Sequence, residues 1–94
     1  MESKVKTYLA WVQSMLTMKV PLVTGATSNA SDTLTLSATS FRRGQHIYMI
    51  DHVLTDTAGT ANGIVLRNPY GSYVTFTDPA HIYFLLGAGA YILP

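Results

Sequence analysis

The stretch from His46 to Gly71 decides the fold of this chain, because two apolar segments flank a polar connection there. The segments are His46-Ile47-Tyr48-Met49-Ile50-Asp51-His52-Val53-Leu54 and Gly63-Ile64-Val65-Leu66-Arg67-Asn68-Pro69-Tyr70-Gly71. The first is rich in β-branched and aromatic residues, and Ile64 and Leu66 alternate along the second, so both predict β-strands. Thr55 to Asn62, followed by Gly63, has the glycine and polar residues of a hairpin connection. The sequence therefore predicts a central antiparallel hairpin.

Antiparallel pairing brings the start of the first strand beside the end of the second. His46 and Asn68 occupy those positions, so the hairpin predicts an imidazole close to a side-chain amide. Such an amide can hold a histidine ring in one orientation and tautomer, as in the Cys-His-Asn variant of the catalytic triad. Each residue also has an alternative role. His46 would be a half-buried strand histidine whose ring meets backbone groups, and Asn68 would be a turn residue, since Asn-Pro followed by Gly is common in turns.

The run Leu66-Arg67-Asn68-Pro69-Tyr70-Gly71, preceded by a histidine on an apolar strand, resembles the second half of the calpain-type catalytic domain, a branch of the papain-like cysteine peptidases. The family motif is typically Leu-Arg-Asn-Pro-Trp-Gly. The resemblance implies that His46 is the general base and that Asn68 orients its ring. It covers about half of the chain well and continues weakly to Phe84. The residues that it implies in supporting roles are Gly44, Gln45 and Tyr70.

The sequence departs from the family pattern at four points. Gln45 stands where the family usually has glycine before the histidine, Ile47 replaces a small residue, and Tyr70 replaces tryptophan. The 94 residues also contain no cysteine. The resemblance therefore implies a C-terminal, His- and Asn-bearing lobe that is inactive alone, with a Cys-bearing N-terminal lobe as partner and a peptide as substrate of the complete enzyme. The alternative is a non-catalytic protein-interaction module that retains the peptidase-like fold.

Composition limits the wider possibilities. A chain of 94 residues makes one domain, residues 1–94, with a single modest core. Hydrophobic residues make up 48% and charged residues only 12%, so part of the apolar surface is expected to meet a partner. The net charge of +1 and scattered basic residues predict no nucleic-acid partner. The apolar run from Ala80 to Pro94 is shorter than the roughly 20 residues that span a bilayer, so no membrane partner is predicted.

The remaining segments complete an α+β fold. Apolar residues at helical spacing predict an amphipathic helix over Ser3 to Lys19, which Val20-Pro21 ends. Further strands are predicted over 20–24, 33–37, 72–76 and 88–93, the last as an interior strand that closes the sheet. Thr77-Asp78-Pro79 predicts the start of a short helix over Ala80 to Leu86. The expected architecture is an antiparallel sheet or partly open β-barrel, with the N-terminal helix packed on it and the short helix near the C-terminus.

No metal or other cofactor is predicted. The loop from Gly25 to Asp32 lacks the regular acidic spacing of a calcium site, although the resemblance leaves calcium possible in full-length relatives. His52 and His81 are expected to be structural or exposed, since scattered histidines without cysteine make no zinc pattern. Asp78 is explained as a helix cap and Asp51 as the outward residue of an alternating strand. The N-terminus does not have the pattern of a signal peptide.

Overall fold

A computed structural model describes residues 2–25, 33–35, 40–42, 47–69, 71–86 and 91–92 of the chain. Helix α1 spans Glu2–Thr17 and helix α2 spans Pro79–Leu86. The strands are β1 (Leu22–Gly25), β2 (Thr33–Thr35), β3 (Ser40–Arg42), β4 (Ile47–Thr55), β5 (Ala61–Arg67), β6 (Tyr73–Phe76) and β7 (Tyr91–Ile92). This element order has the predicted α+β class.

The main sheet is antiparallel and open, with strand order β6-β5-β4-β1-β7. The predicted hairpin forms its centre, where Met49 pairs with Arg67 and Ile50 pairs with Leu66. Strands β2 and β3 form a separate two-stranded sheet. Strand β7 lies at an edge, so the prediction of an interior strand that closes the sheet is wrong. Its two residues pair with β1 alone, and the order stays linear in the described part of the chain.

The core lies between one face of this sheet and the two helices. The stripe predicted on α1 supplies four buried residues, Val5, Tyr8, Leu9 and Val12, with Met15 and Leu16 partly buried beside them. The sheet and α2 contribute Leu22, Tyr48, Ile50, Ile64, Leu66, Val74, Phe76, Ile82 and Leu85. Burial of this apolar surface at roughly 25 cal/mol per Å² is the main force that holds the helices on the sheet. Burial thus confirms the helical period of α1 and the alternation of β6, whereas β5 buries four consecutive residues, 63–66.

The β4–β5 connection is organised by one carboxylate. Asp56 Oδ1 accepts hydrogen bonds from the backbone N–H groups of Ala58 and Thr60, each at 2.9 Å. Gly59 adopts a left-handed φ of 82°, which glycine does without a Cβ clash. Asp56 therefore has a structural role in the turn.

Gly63 meets the neighbouring strand closely. A Cβ at this position would lie 2.8 Å from the backbone oxygen of Phe76 and 3.0 Å from Leu54 Cδ1. Only glycine fits here without moving β5 away from β6. The residue predicted as part of the hairpin connection is therefore a packing position inside β5.

Both helices end or begin with recognisable caps. Asp78 Oδ1 accepts a hydrogen bond of 2.9 Å from the N–H of Ala80, which confirms Asp78 as the N-cap of α2. At the end of α1, the N–H of Val20 donates to the carbonyl of Met15 at 3.0 Å and that of Lys19 donates to Leu16 at 2.9 Å. This pair of bonds is a Schellman motif, and Lys19 takes its left-handed position with φ of 60°.

Lys19→Gly is expected to raise the free energy of unfolding by about 0.5–1 kcal/mol, because glycine removes the Cβ strain of the left-handed position. The matched control is Lys6→Gly, in the interior of α1, which should lower the same quantity by about 1 kcal/mol. Urea unfolding of the two variants and the parent measures both changes. Equal destabilisation by the two substitutions would contradict the capping role of Lys19.

Within the described part of the chain, neither helix is both long and apolar enough to span a membrane.

Candidate active site

The predicted site lies at the end of the sheet where β4 begins and β5 ends. Met49 pairs with Arg67, and Asn68 follows Arg67 directly. Asn68 is half-buried, whereas Arg67 and Pro69 on either side of it are exposed. The residue that was predicted to orient the histidine is therefore partly shielded from solvent between two exposed neighbours.

A tight turn fixes the backbone of Asn68. Its N–H donates to the carbonyl of Ser72 at 2.7 Å, and its own carbonyl accepts from the N–H of Gly71 at 2.8 Å. Gly71 has φ of 98°, a left-handed conformation that glycine adopts at little cost. Proline at the second position of the turn supplies a preset φ. The turn by itself accounts for the Asn-Pro spacing and for the glycine that follows, as the alternative interpretation of Asn68 requires.

The other residues predicted for this site, His46, Gly44, Gln45 and Tyr70, lie outside the described residues. The contact between His46 and Asn68 therefore remains a prediction. The described strands define only its framework, which consists of the β4–β5 register and the anchored backbone of Asn68.

A second polar pair was missed by the sequence interpretation. The β4–β5 register shifts by one residue, since Ile50 pairs with Leu66 but His52 pairs with Val65. Asp51 is the additional residue of this β-bulge, so Asp51 and His52 project from the same side of the sheet. His52 Nδ1 lies 2.6 Å from Asp51 Oδ2. The apolar spacing contains the signal, because core contacts at Tyr48 and Ile50 are followed by Val53 rather than by residue 52.

The Asp51–His52 pair has limited chemical capacity. The carboxylate favours a proton on Nδ1, which leaves Nε2 as the acceptor of the neutral ring. Both side chains are well exposed, at 53% for His52 and 38% for Asp51, so their attraction is screened by solvent. No three His, Asp or Glu side chains are grouped for a metal ion among the described residues.

Tyr8 is the most perturbed titratable group of the described core. Its ring lies on the core-facing side of α1, where Tyr8 is 7% exposed and its hydroxyl is buried. Burial raises the pKa of Tyr8 to about 12, and the nearby Thr24 side chain offsets this only in part. The raised pKa has a structural cause, since Tyr8 lies in the core.

Comparisons with models of protein families, with curated proteins and with solved structures find no match to this chain.

Proposed function

We propose that this chain is the C-terminal, His- and Asn-bearing lobe of a calpain-like cysteine endopeptidase. In the complete enzyme His46 is the general base and Asn68 orients its ring, and the nucleophilic cysteine comes from an N-terminal lobe. The substrate is an internal peptide bond. The chain is inactive alone because none of its 94 residues is a cysteine.

The observation that carries the proposal is the strand register together with its parity. Tyr48 and Leu66 are buried on the helix-covered face of the sheet. His46 precedes Tyr48 by two residues and Asn68 follows Leu66 by two, and side chains two residues apart in a strand share a face. Met49, three residues after His46, pairs with Arg67, the residue before Asn68. Continuation of this pattern supports a common face and a common end of the sheet for the imidazole and the amide.

The chemistry assigns one step to each group. His46 takes the proton of the cysteine thiol, and the thiolate attacks the scissile carbonyl carbon. The imidazolium then returns the proton to the leaving amine, which breaks the peptide bond. The donors that stabilise the oxyanion belong to the other lobe. Asn68 contributes by limiting the rotation of the imidazole, and its backbone is suited to this because two hydrogen bonds hold the turn.

An alternative function is a non-catalytic interaction module with a peptidase-like fold. The exposed aromatic side chains of Trp11 and Tyr83 favour it, because aromatic residues are enriched at binding surfaces. The full coding sequence separates the two functions, since the peptidase requires a cysteine at a helix N-terminus upstream of this segment.

The proposed pair can be tested in the chain itself by NMR. Long-range ¹H–¹⁵N correlation of the three histidines reports the tautomer of each neutral ring. With Asn68 in place, His46 is expected in a single tautomer, and Asn68→Ala should convert it to a mixture. The same spectra of His52→Gln and His81→Gln assign the signals.

Asn62→Ala is the matched control, because Asn62 is an exposed asparagine at the opposite end of β5. It should leave the His46 tautomer unchanged. An identical His46 signal in the parent and in folded Asn68→Ala would show that the amide does not orient the ring, and the peptidase assignment would lose its main support.

A further inference from the structure

A groove runs between the two helices. Its volume is about 710 Å³. Helix α1 contributes residues at helical spacing, which places them on one stripe. Helix α2 contributes two residues three positions apart. The lining residues are Ser3, Lys4, Thr7, Tyr8 and Trp11 from α1, and Tyr83 and Leu86 from α2.

Two large aromatic side chains stay in solvent along this groove. Trp11 is 41% exposed and Tyr83 is 43% exposed, whereas the adjacent residues Val12 and Ile82 are buried in the core. Each ring presents an apolar surface and one polar donor, the indole N–H or the phenol O–H. An open groove with such rings is better suited to an extended chain than to a small molecule, because small-molecule pockets enclose most of their ligand.

Lys4 adds one positive charge to the groove. No described carboxylate forms an ion pair with it. Thr7, the next polar residue of the stripe, donates its hydroxyl proton to the carbonyl of Ser3 at 2.9 Å. The Thr7 hydroxyl therefore presents only its oxygen lone pairs, as hydrogen-bond acceptors, to a ligand in the groove. The groove thus combines two aromatic rings with a cation that is available to an anionic group on a ligand.

We infer that this groove binds a proline-rich peptide segment that carries an acidic residue. Polyproline II segments are extended and preformed, so they lose little conformational entropy on binding. Their rings pack on exposed aromatic residues, and their free carbonyls accept hydrogen bonds from indole and phenol donors. The acidic residue pairs with Lys4. This inference goes beyond the proposed peptidase function, which uses none of the residues that line the groove.

Intrinsic fluorescence tests this inference directly, because Trp11 is the one tryptophan of the chain. The probes are synthetic peptides with the pattern Pro-Pro-Xaa-Pro-Pro, flanked by Glu in one peptide and by Lys in the other. The Glu peptide is expected to shift the emission saturably below about 1 mM, and the Lys peptide should bind several-fold more weakly. Raising the salt to about 1 M should remove most of this difference.

Matched variants locate the binding surface. Tyr83→Ala should weaken binding of the Glu peptide about tenfold, as loss of an aromatic anchor does. Tyr73→Ala, which removes an exposed tyrosine from β6, should leave it unchanged. Lys4→Gln should abolish the preference of the protein for the Glu peptide over the Lys peptide, whereas Lys19→Gln should leave this preference intact.

Three results would overturn the inference. The first is no emission shift with either peptide, and the second is equal binding of the Glu and Lys peptides at low salt. The third is an emission shift that depends on protein concentration alone, which would identify a second copy of the chain as the occupant. Circular dichroism confirms that each variant is folded before its titration is compared.

Discussion

In a complete enzyme that supplies the cysteine, His46→Ala is expected to lower the turnover rate by about 10²- to 10⁴-fold, the range that general acid–base catalysis contributes. Asn68→Ala should lower it by a smaller factor, about 10- to 100-fold, the size of effect measured for groups that orient a metal-binding histidine. Substrate binding should change little in either variant, because both residues act on the transition state rather than on the bound substrate. Steady-state kinetics at saturating substrate measures these losses.

The double variant distinguishes orientation from a turn defect. A misoriented base and an absent base disable the same step, so the two losses should be strongly non-additive. If Asn68 acts only in the turn, Asn68→Ala should lower the free energy of unfolding and its activity should recover at lower temperature. Thermal unfolding is therefore measured beside turnover. Parental turnover per folded Asn68→Ala molecule would refute the role of the amide.

The elements that burial dictates were predictable from the sequence. The stripe on α1 and the alternation in β6 record which side chains face the core, and the structure confirms them, whereas β5 buries residues 63–66 in succession. The N-cap at Asp78 was also predictable, because its chemistry is local. Strand β3 was not, since its three residues Ser40–Arg42 have no apolar alternation to indicate it.

Features that depend on how the strands pair were harder to predict from the sequence. The bulge at Asp51 brings two adjacent side chains to one side of the sheet, whereas strict alternation predicts opposite sides. Lys19 adopts a left-handed conformation that glycine usually occupies, so its capping geometry was not indicated by residue type. For the candidate site, the sequence predicted the turn at Asn68, but the role of its amide depends on His46 and stays a prediction.

The second large effect concerns the buried hydroxyl of Tyr8. Burial raises its pKa from the ordinary 10.0 to about 12 in the folded chain. Above pH 10 the unfolded chain releases this proton, whereas the folded chain retains it until about pH 12. The contribution of protonated Tyr8 to the free energy of unfolding is therefore complete below pH 10, and it is lost as the pH rises from 10 to about 12. Two pKa units correspond to about 2.7 kcal/mol.

Tyr8→Phe removes this titration and keeps the ring in the core. At pH 9 the variant should match the parent to within about 1 kcal/mol, because one neutral hydrogen bond, here to the Thr24 side chain, contributes about that much. At pH 12 the variant should be more stable than the parent by up to about 2.7 kcal/mol. Urea unfolding at both pH values measures this difference. The tyrosines and lysines that both chains share affect the two free energies of unfolding equally, so the difference reports Tyr8 alone. Tyr73→Phe is the control for the loss of a tyrosine hydroxyl as such, since Tyr73 is 57% exposed and lies outside the core. Parallel stability curves for Tyr8→Phe and the parent would show that the Tyr8 hydroxyl reaches solvent in the folded chain.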